Sequence, residues 1–273
     1  MALSASTKLC AVIGNPIGHS LSPLIHNSIY EREGIDAVML AFQNPLIAEL
    51  VSAIRALPIN LTAVTLPHKE AIIPLLDEVD AKAQAIGSVN TVINTGGKLK
   101  GFNTDVVGIA IALKDVELQG KNVLILGAGG GARAVAYHLK ERGARIYNYD
   151  RTPEKAERLV KSFGGTTLLF SALDSAQFDV IVNATPVGLP PKIDATPIPK
   201  EIIQKEATVF DLVYKPLETT LMREARQRGA RTISGMVMLL EQALEQERLW
   251  LGEKIANPDY PAFLASKIKE AIA

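Results

Sequence analysis

The chain has 273 residues, of which 48% are hydrophobic, and its 29 basic residues balance 29 acidic ones. This length suffices for one or two domains with cores of their own, and the absence of net charge argues against nucleic acid or an anionic membrane surface as a partner. The single cysteine, Cys10, lies in an apolar run. We therefore expect a buried thiol and a cytoplasmic protein without a secretory or membrane-spanning segment.

In the first hundred residues, apolar runs of strand length alternate with amphipathic stretches of helix length. This alternation is typical of a largely parallel sheet covered by helices. Pro23 and Pro45 stand where the first turn of a helix tolerates proline, and Gly96 with Gly97 predicts a hairpin turn. The predicted strands cover 9–13, 37–42, 61–64, 89–93 and 99–102, and the predicted helices cover 23–33 and 45–57.

From residue 105 onward, strands and helices alternate in a second series. The predicted strands are 122–126, 145–149, 180–183 and 208–212. The predicted helices are 105–116, 132–142 and 153–163, and helices fill the remainder, including 236–252 and 261–272. We predict an α/β protein with an N-terminal mixed α/β domain, 1–104 with 238–273, and a C-terminal Rossmann-type doubly wound parallel sheet, 105–237.

A glycine-rich loop, GAGGGA at 127–132, lies between a predicted strand and a predicted helix. Gly127 permits the tight turn at the strand end, Gly129 lets the backbone approach a pyrophosphate, and Ala132 is small enough for close helix packing. The free amides at the start of the helix favour phosphate. The predicted dinucleotide contacts are Gly127, Ala128, Gly129, Gly130 and Gly131.

The next predicted strand ends in DRTPEK at 150–155, which bears on the choice of dinucleotide. A carboxylate such as that of Asp150 usually accepts hydrogen bonds from the ribose diol of NAD, whereas an arginine suits the 2′-phosphate of NADP. Arg151, Thr152 and Lys155 would form a clamp on that phosphate, with Asp150 turned aside or paired to Arg151. These residues alone leave both cofactors open.

Two hydroxyl-rich segments precede the glycine loop: GNPIGHSLSP at 14–23 and VTLPHK at 64–69. A substrate domain followed by a cofactor domain indicates an oxidoreductase that acts on a small polar molecule. Ser20 and Ser22 have a simpler alternative role as helix caps, and neither stands in a nucleophile elbow. The four histidines lack metal-ligand spacing, so we expect no metal.

Together with further segments, these motifs resemble the shikimate dehydrogenase family over nearly the whole chain. The resemblance implies NADP-dependent hydride transfer that reversibly converts 3-dehydroshikimate to shikimate, in the pathway to aromatic amino acids. The further segments are GSVNT at 87–91, GFNTD at 101–105, NAT at 183–185, DLVYKP at 211–216, and Met238-Leu239 with Gln242.

The resemblance also implies a role for each matching residue. Lys69 would be the acid/base residue and Asp105 its partner. An ammonium group can stabilise the charge that develops on the substrate oxygen, and because a close carboxylate opposes its deprotonation, we expect Lys69 to share a proton relay with Asp105. The implied substrate contacts are Ser20, Ser22 and Tyr214 at the carboxylate, and Thr65, Lys69, Asn90, Asp105 and Gln242 at the hydroxyls and reacting oxygen. The further implied cofactor contacts are Thr185, Leu212 and Gly235.

Four positions depart from the family pattern: Ala63, His68, Asp150 and Val237. Asp150 leaves NAD possible as cofactor, and an NAD-dependent quinate/shikimate dehydrogenase is the nearer alternative. A non-catalytic metabolite sensor on the same fold is the more distant one. The presence of Lys69 with Asp105 favours catalysis. We expect a small-molecule substrate, a monomer or homodimer, and a cleft between the domains that closes during the reaction.

Overall fold

The computed structural model describes residues 3–255 and 257–272, and the chain divides into two compact units. Unit 1 comprises Met1–Thr104 with Leu240–Ala273, and unit 2 comprises Asp105–Leu239. The sequence predicts that the returning segment begins at 238, whereas it begins at Leu240 in the structure. Positions 1–2, 256 and 273 of the predicted domain ranges lie outside the described residues. Within the described ranges, no helix combines the length and apolar character needed to cross a membrane.

Unit 1 contains a mixed six-stranded sheet. Its strands are β1 (Lys8–Gly14), β2 (Ala37–Gln43), β3 (Leu61–Val64), β4 (Glu78–Val79), β5 (Thr91–Thr95) and β6 (Lys98–Phe102). Their order across the sheet is β2-β1-β3-β5-β6-β4. β1 pairs parallel with β2 and β3, while β5 pairs antiparallel with β3 and β6. The carboxyl ends of β1 and β3 therefore meet at one edge, where the two hydroxyl-rich segments begin.

Unit 2 contains a six-stranded sheet in which all pairs are parallel. Its strands are β7 (Asn122–Leu126), β8 (Arg145–Tyr149), β9 (Thr166–Thr167), β10 (Val180–Asn183), β11 (Thr208–Asp211) and β12 (Arg231–Ser234). The order β12-β11-β10-β7-β8-β9 runs outward from β7 in both directions. This is the doubly wound topology, in which ligands bind beyond the carboxyl ends of the strands at the point of reversal.

The helices begin and end at residues whose backbone or side chain favours a boundary. Asp80 accepts hydrogen bonds from the amides of Lys82 and Ala83 at the start of α4, which ends at the left-handed Gly87. In chain order the helices are α1 (Ser22–Glu33), α2 (Ile47–Ala56), α3 (His68–Ala71), α4 (Ala81–Ile86), α5 (Asp105–Ala112), α6 (Gly130–Glu141), α7 (Pro153–Phe163), α8 (Thr220–Gln227), α9 (Gly235–Leu251) and α10 (Tyr260–Ile272). Short 3-10 turns occupy Ile73–Leu75, Phe170–Ser175, Lys200–Ile202 and Gly252–Ile255.

The apolar run of β1 forms cores on both faces of its sheet. Ala11 and Ile13 pack in one buried cluster, while Cys10 and Val12 pack in another. A strand covered on both faces is continuously apolar, which explains the run in the sequence. The expected burial of Cys10 is confirmed, and this burial raises the pKa of its thiol to about 12.

Several predicted boundaries are wrong. The helix predicted over 105–116 ends at Ala112, and the strand predicted over 89–93 is Thr91–Thr95. The remainder predicted as helical contains the strand β12 and a run of turns at 184–199. β12 is a four-residue strand in which only Ile233 is buried, so its sequence carries no apolar alternation. The hairpin is confirmed, because Gly96 and Gly97 have φ values of +60° and +88° between β5 and β6.

Candidate active site

The loops that follow β1 and β3 pack directly against each other. The Thr65 amide donates to the Ile13 carbonyl at 3.0 Å, and the Asn15 amide donates to the Leu66 carbonyl at 2.9 Å. A Cβ atom at Gly14 would lie 2.6 Å from Cγ2 of Thr65, so this approach requires glycine. Thr65, a predicted substrate contact, is thereby fixed at the carboxyl edge of the sheet.

The two predicted carboxylate-binding serines lie at the start of α1. Ser22 is the first helical residue and is 8% exposed, and its amide donates to Oγ of Ser20 at 3.2 Å. The capping alternative is wrong for Ser22, because the N-cap residue is Leu21, which has no capping side chain. Ser20 does hold one amide of the first turn. Both serines therefore belong to one helix start, where amides and hydroxyls favour an anion.

The predicted acid/base residue, Lys69, lies on the short helix α3, which is held from several sides. The Lys69 carbonyl accepts from the Val89 amide at 2.8 Å, and the His68 amide donates to the Thr65 carbonyl at 2.9 Å. The buried His68 ring also donates through Nε2 to the Asn44 carbonyl at 2.8 Å. His68, one of the four departures, thus anchors α3 by a hydrogen bond and fixes the backbone of Lys69.

Asn90 lies at the centre of a buried hydrogen-bond network. Its Oδ1 accepts from the Thr104 amide at 2.7 Å and from the Thr91 hydroxyl at 2.8 Å. Its Nδ2 donates to Oγ1 of Thr104 at 2.9 Å and to Oε1 of Gln242 at 3.2 Å. The structure therefore brings together Asn90 and Gln242, two predicted substrate contacts that are 152 residues apart.

The remaining two predicted substrate contacts belong to unit 2. Asp105 is the first residue of α5 and is 3% exposed. Tyr214 is half-buried in the segment after β11, and desolvation raises the pKa of its hydroxyl to about 12. Tyr214 is therefore a neutral hydrogen-bonding group at ordinary pH.

The glycine loop has the geometry that a dinucleotide requires. Gly127 has a φ of +99°, and a Cβ atom there would lie 3.1 Å from both the Ala184 carbonyl oxygen and Cγ2 of Thr185. A Cβ atom at Gly129 would have no heavy atom within 4 Å, so the backbone is open on that side. The loop begins at β7, where the strand order reverses, and α6 starts at Gly130. A pyrophosphate fits this backbone cradle.

A close backbone approach brings together Leu212 and Gly235, two further predicted cofactor contacts. A Cβ atom at Gly235 would overlap the Leu212 carbonyl oxygen, and one at Gly131 would lie 3.4 Å from Cδ2 of Leu212. Thr185 is held through its hydroxyl, which donates to Oδ1 of Asn183 at 2.6 Å. The segments after β7, β10 and β11 and the start of α9 thus converge within unit 2.

Asp150 uses one carboxylate oxygen within its own turn. Its Oδ1 accepts from the Thr152 amide at 2.8 Å, and the Thr152 carbonyl accepts from the Lys155 amide at 3.0 Å. Arg151, Thr152 and Lys155 are all exposed. The turn therefore occupies part of the carboxylate that would otherwise bind a ribose diol, while the basic side chains remain open to solvent.

The sequence patterns did not identify three polar residues that lie beside Asn90, a predicted substrate contact. Thr91 and Thr104 contact Asn90, and Gln246 donates to Thr91 and to the Asn90 backbone. The spacing of Gln246, one helical turn after Gln242, is the signal that could have identified it. Within the part of the chain that the structure describes, no three His, Cys, Asp or Glu side chains are grouped so as to hold a metal ion.

Two family models match the chain: the shikimate dehydrogenase substrate binding domain over residues 12–92, and shikimate / quinate 5-dehydrogenase over residues 110–209. A shikimate dehydrogenase (NADP(+)) from Thermococcus kodakarensis is 43% identical over 257 residues, covering 92% of this chain and 93% of that protein. The solved shikimate dehydrogenase of Aquifex aeolicus has a TM-score of 0.88 at 38% identity, covering 97% of this chain and 99% of that chain. The Thermus thermophilus shikimate 5-dehydrogenase, solved in complex with NADP(H) and shikimate, has a TM-score of 0.86 at 38% identity and the same coverage.

Proposed function

Since the chain belongs to the shikimate dehydrogenase family, we propose that it catalyses the reversible, NADPH-dependent reduction of 3-dehydroshikimate to shikimate. The enzyme is an oxidoreductase and its cofactor is NADP. The cofactor, when bound, supplies the hydride. The residues of this chain have to hold the substrate, exclude water and transfer one proton to or from the substrate oxygen.

The observation that carries this proposal is the hydrogen bond between Asn90 and Gln242. Both side chains are buried, at 2% and 8% exposure, and they meet although 152 residues separate them. Neutral amides that combine donors with acceptors are suited to the hydroxyls of a cyclic polyol acid. Their meeting in unit 1 supports the assignment of that unit to the substrate.

The substrate carboxylate is assigned to the start of α1. Ser20 and Ser22 offer hydroxyls beside the positive end of the helix dipole, which stabilises an anion. Tyr214 offers a neutral hydroxyl to the same group. Thr65 and the Asn90–Gln242 pair are assigned to the ring hydroxyls.

Lys69 and Asp105 are assigned to the proton. As the ketone oxygen gains negative charge during reduction, the Lys69 ammonium group stabilises it and donates the proton. Asp105 orients the ammonium group and relays the proton in the opposite direction. This pair distinguishes an enzyme from a metabolite sensor, because a sensor needs to bind the ring but not to donate a proton to the reacting oxygen.

The cofactor is assigned to unit 2. The glycine loop, with Thr185, Leu212 and Gly235, holds the pyrophosphate and nicotinamide portions, and Arg151, Thr152 and Lys155 hold the 2′-phosphate. NADP agrees with the exposed basic side chains of Arg151 and Lys155, which follow Asp150 in the same turn. A cytoplasmic location and a monomeric or homodimeric state complete the proposal.

Initial rates measured with shikimate or quinate, each with NADP or NAD, test this function through the absorbance of the reduced cofactor. We expect the highest kcat/KM with shikimate and NADP. Lys69→Ala should lower kcat by about a hundredfold or more, the usual range for general acid–base catalysis, and largely spare shikimate binding. Lys82→Ala, an exposed lysine at the start of α4, is the matched control and should retain full activity.

Three outcomes would contradict these assignments. Full turnover by the Lys69→Ala variant would remove Lys69 from the chemistry. A higher kcat/KM with quinate and NAD than with shikimate and NADP would establish the alternative dehydrogenase instead. Shikimate binding without turnover in the unaltered protein would identify a sensor.

A further inference from the structure

Gln246 lies one helical turn after Gln242 on α9 and contacts the same strand end. Its Nε2 donates to the Asn90 carbonyl at 3.2 Å and to Oγ1 of Thr91 at 3.0 Å. Because a carbonyl oxygen can only accept, the nitrogen of the Gln246 amide must be the atom that faces it. The orientation of this buried amide is therefore fixed by chemistry.

The Gln246 amide also sets the direction of the hydrogen bonds around Asn90. The Thr91 hydroxyl accepts from Gln246 and has one proton of its own, which it donates to Oδ1 of Asn90 at 2.8 Å. Oδ1 of Asn90 also accepts from the Thr104 amide at 2.7 Å. With its oxygen engaged twice, Asn90 must direct its Nδ2 toward Gln242.

Gln246 is not the residue that stability alone would place at this position. It is 1% exposed, and its Oε1 has no hydrogen-bond partner among the described residues. A buried oxygen without a partner lowers stability, whereas a leucine of similar size would leave no polar atom unpaired. The polar side chain therefore indicates a role in positioning its neighbours.

We propose that Gln246 is a positioning residue for substrate recognition, holding α9 and the Asn90 amide so that Asn90 and Gln242 present their polar groups to the ring hydroxyls. This inference rests on the proposed function, in which Asn90 and Gln242 bind the substrate. Gln246 itself acts through Thr91 and the Asn90 backbone.

The test is Gln246→Leu in the full-length enzyme, assayed for kcat, for KM of each substrate and for stability in urea. Loss of a uniform binding interaction raises KM without lowering kcat. We expect KM for shikimate to rise about tenfold, with kcat changed less than about threefold, since one hydrogen-bonded contact is misplaced. KM for NADP should stay unchanged. The urea midpoint should not fall by more than measurement error.

Leu244→Ala is the matched control on the same helix. Leu244 is buried and lies about 200° around α9 from Gln242 and from Gln246. This change should lower the urea midpoint and leave KM for shikimate unchanged. A Gln246→Leu enzyme that behaves like the Leu244→Ala control would overturn the proposal, because its role would then be structural only.

A double-mutant cycle with Asn90→Ala separates this inference from the function on which it rests. If Gln246 acts through Asn90, adding Gln246→Leu to Asn90→Ala should raise KM no further. A KM that rises in Asn90→Ala but not in Gln246→Leu overturns the positioning role and leaves the substrate site intact. A KM unchanged in both variants overturns the assignment of Asn90, and the inference with it.

Discussion

Asp211, at the end of β11, is a fully buried carboxyl whose hydrogen bonds organise the segments around the predicted cofactor site. Its Oδ1 accepts from Nδ2 of Asn183 at 2.9 Å and from the Val213 amide at 3.0 Å, and its Oδ2 accepts from the Thr219 hydroxyl at 2.6 Å. Asn183 in turn holds Thr185. One carboxyl group thus links the segments that follow β10 and β11.

The pKa of Asp211 gives a pH prediction. Burial raises this pKa from 3.8 to about 6, against the opposing effect of the three hydrogen bonds. Between these two values the folded protein binds more protons than the unfolded chain, so the stability contributed by Asp211 falls as pH rises through that window. Asn has no titrating group, so the free energy of unfolding of Asp211→Asn minus that of the unaltered protein should rise by about 2 kcal/mol from about pH 4 to about pH 8.

Urea unfolding of both proteins across this range measures the difference. Asp150→Asn is a suitable control, because the Asp150 side chain is partly exposed to solvent whereas that of Asp211 is fully buried. A stability difference between Asp211→Asn and the unaltered protein that does not change with pH would show that Asp211 has an ordinary pKa in the fold.

The helix α9 carries several buried polar residues with different partners. Gln242 and Gln246 contact the Asn90 network, whereas the fully buried Glu247 contacts α1. Oε1 of Glu247 accepts from the Tyr30 hydroxyl at 2.7 Å and pairs with Nδ1 of His26. The helix thus connects the proposed substrate-binding edge of unit 1 to α1, which begins at Ser22.

The pairing of Glu247 predicts a large effect on stability. Glu247→Ala leaves the buried His26 ring and the Tyr30 hydroxyl without their partner, and removing one member of a buried pair typically costs about 3 kcal/mol or more. Glu247→Gln keeps one acceptor oxygen and should lose less. The free energy of unfolding in urea measures both changes.

Glu245→Ala supplies the comparison on the same helix. Glu245 is partly exposed, and its Oε2 lies 3.4 Å from Nη1 of Arg248. A surface ion pair of this kind contributes about 0–1 kcal/mol to the free energy of unfolding. Equal losses in Glu245→Ala and Glu247→Ala would mean that the buried cluster stabilises α1 and α9 no more than a surface pair does.

The division of the molecule into two units, each with its own sheet, predicts where each ligand protects the backbone. Shikimate alone should slow amide hydrogen exchange in unit 1, around 20–22, 64–69 and 88–91, because bound ligand suppresses local opening there. NADP alone should slow exchange in unit 2, around 127–132, 150–155 and 184–186.

Exchange measured by mass spectrometry with each ligand separately checks this assignment. The segments 10–12 and 208–210 are internal controls, because their residues are buried in strands away from the proposed contacts and should exchange slowly in all samples. Protection by NADP confined to unit 1, or by shikimate confined to unit 2, would reverse the proposed roles of the two units.

Much of the fold followed from local patterns. The apolar runs of β1 and β7, the Gly96–Gly97 hairpin and the glycine loop each depend on neighbouring residues, which a sequence displays directly. β12 was missed for the converse reason: it is a strand because β11 offers it an edge, with Phe210 paired opposite Ile233. The shifted boundary of β5 likewise depends on its partners β3 and β6.

For this protein, the sequence by itself determined the α/β class, the dinucleotide loop and the residue types available for the chemistry, because these are properties of short segments. Only the tertiary structure decided that Asn90 meets Gln242 and that Gln246 donates to Thr91 and to the Asn90 backbone. Contacts across more than a hundred residues depend on how helices pack on a sheet, and the direction of a side chain depends on the partners that packing supplies.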